Sequence, residues 1–394
     1  MKKEDVSGII VYLLIMALAI LFGLNVLRNH ATNSGMEGGA YFGFIVGAIL
    51  TGLLFNAILF ELAHKAGAKV GRYEVISVNV LGLLWYRENK KLHVKLASYD
   101  GLTGETKILP KEDAKKEPNP TPYLWFGTLF YLIEIVAIVF TFSFLNSPNS
   151  TAPQVWKNVG YFLLVVGVIG GMILLYNILP LHLDSTTDGY RMTMVSNAAN
   201  KKAFNELLRV EYQVSQGATD VEIATFTDMT NFTADLNLNK VYLLLDKHEY
   251  AEAEKLLDII LAGKSTISPK VYIRARAQKI YINIVSKSLE DAKEFYDKEV
   301  SMQERREISN DASITSARTY LLMSGLLDKS QSESEIACRT AHKSLSRTPK
   351  RRQNTEIALF NEAIDLISKA HPKWEIEQYK LEPIPEKPQK KAKK

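Results

Sequence analysis

Four long apolar runs in the first half of the chain limit its fold more than any other feature. Ile9 to Leu27, Tyr41 to Phe60 and Val159 to Leu183 contain no Asp, Glu, Lys or Arg, and Tyr123 to Leu145 contains one acid, Glu134. A helix rises about 1.5 Å per residue, so about 20 residues cross about 30 Å of hydrocarbon; the apolar stripe of a soluble helix is far narrower. The expected fold is therefore mainly α: a polytopic membrane helix bundle of about four transmembrane helices. Spans are expected at about 9–27, 41–64, 123–145 and 159–183. The first run follows MKKED, and its length exceeds the core of about 7 to 15 residues found in a cleaved leader, so it is read as retained.

Lysine and arginine set the expected orientation, because basic loops stay on the cytoplasmic side. Eleven of them lie between Lys65 and Pro122, whereas residues 29–40 and 146–156 hold none. Both termini and the loop 65–122 should then face the cytosol of a multi-pass protein in the cell membrane. No organelle-targeting signal is apparent, which points to a bacterial inner membrane. A single cysteine, Cys338, excludes an internal disulfide framework and a multi-cysteine metal site. The net charge of +5 is modest, and its basic excess is concentrated in the tail 381–394, read as solvated and disordered. No phosphate-binding glycine loop, nucleophile elbow or nucleic-acid module appears, so a nucleic acid is not an expected partner.

The second run leads into LFELAHKAGAKVG, where Glu61 and His64 sit three residues apart near the end of a helix. The fourth leads into YNILPLHLDSTTDGYRM, in which Asn177 and Pro180 precede Asp188 and Gly189. Together these segments resemble the site-2 protease family of intramembrane zinc peptidases, over residues 41–195. In that family an HExxH motif ends one span, and an N-x-x-P followed by D-G accompanies a later one. The resemblance implies that Glu61 is the general base, His64 and Asp188 are metal ligands, and Asn177 and Pro180 are the N-x-x-P that borders the substrate. The charge-derived orientation puts both segments on one side of the membrane.

Phe60 stands where the first histidine should be, and a phenyl ring has no lone pair to offer zinc. Two ligands hold zinc weakly or not at all, since a catalytic zinc uses three protein ligands and a water. His182, Asp184 and Asn56 are the nearby groups that can substitute. The alternative for Glu61 and His64 is an ordinary polar border where a helix leaves the bilayer, with Asp188-Gly189 an ordinary turn. Glu134, inside an apolar span, should face the bundle or a water-filled cavity and serve substrate or partner binding, or else a helix–helix hydrogen bond.

In the loop, YEVISVNVLGLLWY and LHVKLASY flank the polar RENKK and read as paired strands. The family resemblance implies a β-element whose edge accepts an extended substrate; the alternative is a surface hairpin that dips Leu81, Leu83, Leu84 and Trp85 into the membrane interface. Beyond residue 195 the expected order is a linker or amphipathic segment at 196–235, a cytosolic α-helical tetratricopeptide-like domain at 236–380, and the tail. Three helical hairpins carry small residues, Ala253, Ala292 and Ala337, at comparable places, at a spacing looser than the usual 34 residues. A concave array would bind a cytosolic protein, and a compact bundle would only stabilise the membrane part.

Three functions are compatible with these residues. The leading one is a site-2 protease-like membrane protein, catalytically impaired, that binds a membrane segment or peptide and a cytosolic partner. The second is an active intramembrane zinc metalloprotease with a substitute ligand. The third is a membrane receptor, transport-accessory or immunity-type protein.

Overall fold

A computed structural model of the chain describes residues 3–88, 91–99, 103–111, 116–180, 187–216, 218, 221–348 and 350–383. It divides into two compact units, Met1–Thr219 and Asp220–Lys394. The protein is mainly helical with a small antiparallel sheet, and four helices are long and apolar enough to cross a membrane.

In the first unit α1 (Lys3–Phe22) continues through a π-type turn, Gly23–Leu27, into α2 (Arg28–Asn33). Next comes α3 (Gly38–Val70), whose 33 residues extend beyond the expected span at both ends. A four-stranded sheet follows, made of β1 (Tyr73–Val80), β2 (Leu83–Glu88), β3 (Lys91–Leu96) and β4 (Gly104–Pro110). The last two of the long apolar helices are α4 (Pro120–Asn146), opened by the Asn119 cap and a proline in its first turn, and α5 (Gln154–Ile178). α5 stops short of the expected 183 because Pro180 disfavours helical geometry at Leu179. α3, α4 and α5 pack on one another, while apolar side chains such as Phe42, Leu50, Val136 and Phe140 point outward, as lipid-facing positions do.

The strand order is β3-β2-β1-β4, all antiparallel, with β3 at one edge. The apolar stretch read as a strand over Tyr73–Tyr86 is broken by a two-residue turn at Leu81 and Gly82. Both have positive φ, 48° and 92°, the geometry of a type I′ hairpin. Asn79 supports the turn by accepting the Gly82 N–H at 3.0 Å. β4, which has no clear alternation of its own, exists because β1 offers it a free edge. The short α6 (Asp188–Val195) and then α7 (Ala198–Ser215) complete this unit, α7 lying against β4. Tyr73 donates to Asn205 on α7, whose amide donates to Pro118 O at 3.0 Å.

The second unit contains α8 (Asn231–Asp246), α9 (Tyr250–Ala262), α10 (Pro269–Ser286), α11 (Leu289–Glu299) and α12 (Met302–Asn310). It ends with α13 (Ile314–Leu322), α14 (Gln331–Leu345) and α15 (Lys350–Ala370). Serine caps at 268, 288, 301 and 313 start four of them by accepting N–H groups of the first turn. Ala253, Ala292 and Ala337 are buried at helix contacts, and α15 lies against α13 and reaches α8. A fully buried Arg318 pairs with Glu356 at 2.8 Å, donates to Gln278 at 2.6 Å and lies over the Tyr281 ring.

Candidate functional site

The end of α3 presents Phe60, Glu61 and His64 to the interior, all buried, because positions 60 and 64 share one helix face and α4 covers it. Opposite them, α6 begins at Asp188, whose neighbour Gly189 is sterically obligatory. A Cβ built on Gly189 would lie 2.0 Å from the Ile178 carbonyl oxygen, so only glycine lets α6 tuck under the end of α5. Thr187 caps α6 by accepting the Tyr190 N–H at 3.3 Å. The consequence is a direct contact across 124 residues of sequence: His64 Nε2–H donates to Asp188 Oδ2 at 3.0 Å.

Glu61 is held from the sheet. Thr106 on β4 donates to one carboxylate oxygen at 2.6 Å and Thr103 to the other at 3.2 Å. Tyr123 on α4 donates to the Thr106 carbonyl at 2.9 Å and sets its ring against His64, centroids 4.8 Å apart. Sequence reasoning missed both threonines and Tyr123, since a hydroxyl on a strand without a motif carries no local signal. The sole hint was that a buried acid needs donors.

Phe60 occupies the remaining side. Its ring lies 4.3 Å from the His64 ring and stacks on Tyr131 at 5.5 Å, with an interplanar angle of 17°. Gly127 on α4 makes the room: a Cβ there would meet the Phe60 ring at 2.5 Å and His64 Nε2 at 3.2 Å. The phenyl group is thus packed from two sides where the resemblance called for a ligand.

Among the described residues, no group of three His, Cys, Asp or Glu side chains is arranged to hold a metal ion. Two donors converge, His64 and Asp188, while both oxygens of Glu61 accept from threonines. This set does not fit the three-ligand catalytic zinc of the resembled family. Of the substitutes considered from sequence, His182 and Asp184 lie outside the described residues. Asn56 turns away, its amide donating to Gly52 O at 2.8 Å and Val166 O at 3.0 Å.

Asn177 is half-buried and donates to Ile173 O at 3.1 Å within its own helix, and Pro180 is exposed. Glu134 is separate from the His64–Asp188 pair. It is buried in α4, and among the described residues neither of its carboxylate oxygens, nor the neighbouring Asn56 Oδ1 beside Gly170, has a hydrogen-bond partner. It borders an apolar crevice of about 450 Å³ between α3, α4 and α5.

Compared with family models, curated proteins and solved structures, the chain returns no match. The reading of the site rests on its own geometry.

Proposed function

We propose that this chain is an integral membrane protein of site-2 protease-like build, catalytically impaired, that binds a peptide or transmembrane segment beside α3 and a cytosolic protein through the helices of its second unit. The observation that carries the proposal is the His64–Asp188 hydrogen bond, which joins the two sequence motifs at one point. Chance motifs 124 residues apart have no reason to meet.

Loss of peptidase activity follows from chemistry. Water becomes a nucleophile at neutral pH when a firmly held Lewis acid polarises it and a base takes its proton. Here Phe60 fills the ligand position, and both oxygens of Glu61 already accept hydrogen bonds from threonine hydroxyls. Binding survives such a loss. Among the described residues no strand pairs with the outer edge of β3, and its main chain can accept an extended segment by strand addition. The lysine and arginine bias of residues 65–122 supports a cytosolic position for this edge and both termini.

Zinc content of the purified full chain tests the proposal, with Phe60→His, His64→Ala and Asp188→Ala as variants. The wild type should carry zinc well below one equivalent. Phe60→His should gain it, since it restores the i, i+4 histidine pair, and should lose it again when His64→Ala is added. One equivalent in the wild type, removed by His64→Ala and by Asp188→Ala, would instead support the active peptidase.

A further inference from the structure

The register of the sheet sorts its side chains into two unlike faces. Val78 stands opposite Trp85 and Thr106, and Trp85 opposite Val94, so these four share one face; Leu83 and Leu96, two residues along, share it too. On the other face Asn79 lies opposite Leu84 and Glu105, Ser77 opposite Tyr86 and Lys107, and Lys95 opposite Leu84. One face is therefore apolar across the sheet and the other is mostly polar.

Thr106 tells which way the apolar face looks. Its hydroxyl donates to Glu61, so this face is the one laid on the end of the membrane-spanning α3. β1 and the edge strand β4 lie against that helix, whereas β2 and β3 reach past it. Their share of the same face is uncovered: Leu83, Leu92, Val94 and Leu96 are 44%, 65%, 55% and 82% exposed. Leu92 shares the face because it is opposite Arg87, two residues from Trp85. An exposed apolar patch of this kind needs an occupant. On α3 itself Leu62, two residues past the uncharged run, is exposed as well.

We infer that the overhanging face of β2 and β3 rests on the lipid interface of the same bilayer that α3 crosses. Leu83, Val94 and Leu96 enter the headgroup–acyl boundary, Trp85 sits at the level that aromatic side chains prefer, and Arg87 reaches the phosphates along its apolar stem. The polar face, with Lys95 over the Tyr86 ring, stays in water. The sheet edge remains open, so this contact is independent of the proposed peptide binding.

Single cysteines read both faces. In the full chain with Cys338→Ala, reconstituted in phosphatidylcholine–phosphatidylglycerol vesicles, Val94→Cys and Leu96→Cys would carry a fluorescent label on the apolar face and His93→Cys and Lys95→Cys on the polar face. All four positions are exposed, so the substitutions spare the core. Labels at 94 and 96 should be quenched by doxyl groups high on the acyl chain and shielded at least fivefold from aqueous iodide relative to 93 and 95. Equal iodide quenching on the two faces would overturn the inference. So would cross-linking of the 94 or 96 cysteines between two copies without doxyl quenching, which would assign the patch to a second copy of the chain.

Discussion

Gly189→Ala isolates how the candidate site is assembled. The new methyl carbon would lie 2.0 Å from Ile178 O, 2.5 Å from the Ile178 carbonyl carbon and 2.9 Å from that of Leu179. Backbone cannot swing aside as a flexible side chain can. To reach the 3.4 Å of ordinary contact, the start of α6 must move by about 1.4 Å. Asp188 is its first residue, so the carboxylate would leave His64, and a 3.0 Å bond would stretch past hydrogen-bonding range. A hydrogen bond involving a charged group is worth about 1.5–3 kcal/mol, and strain adds roughly 1–3 kcal/mol. The assay is denaturant unfolding in detergent micelles of Gly189→Ala, Asp188→Asn and the double variant. If glycine acts through the pair, the double variant should be less destabilised than the sum of the singles by about 1.5–3 kcal/mol, or roughly ten- to a hundredfold in the unfolding equilibrium. Strict additivity would refute the reasoning, and an undisturbed Gly189→Ala would refute the close approach itself.

Other consequences are simpler to state. Glu356→Ala strands the fully buried Arg318 and should cost about 3–5 kcal/mol, whereas Arg318→Met with Glu356→Leu should be close to neutral; unfolding midpoints of the three chains decide it. Cys338 is buried and burial pushes its thiol up to about 12, so at pH 7 maleimide should label the native chain far more slowly than the denatured one. Burial raises the Glu304 carboxyl, but the Ser301 N–H and hydroxyl and the Arg276 guanidinium outweigh it and hold it below the ordinary 4.5. Its contribution to stability is complete above that ordinary value and is lost as pH falls through the lower folded one. Glu304→Gln should therefore flatten the acid limb of a stability–pH profile.

The apolar runs made the four helices long and apolar enough to cross a membrane legible, because hydrophobic length is written locally. The meeting of His64 and Asp188 was legible for a different reason: residue types at the ends of two spans already pointed to one site. Thr103, Thr106 and Tyr123 could not be found this way. Their roles arise from strand pairing between β1 and β4 and from the seating of α4 on α3, which are long-range outcomes of packing. β4 itself was missed for the same cause, and its pairing with β1 is what brings Thr106 to Glu61. Gly127 carries no signal in the sequence, and Gly189 only that of a D-G motif, until the neighbours that need their missing side chains are in view.

The length of α3 has a consequence for how the site responds to its surroundings. Tyr41 to Phe60 account for about 30 Å of rise, the thickness of a hydrocarbon core, so a bilayer matched to that run would end at Glu61, with His64 about one turn further. Glu134, by contrast, lies deeper, beside Asn56, whose Cα is about 6 Å inside the end of that run at Phe60. The two acids thus belong to different depths, one at the waterline with threonine donors and one in oil without any. A bilayer 3 Å thicker, the extra shared between its two sides, draws the α3 site inward by about one residue, and a thinner one lifts it toward water. Lipid thickness then becomes a variable of the site's hydration, and membranes of graded acyl length offer a means of tuning it with the sequence unchanged.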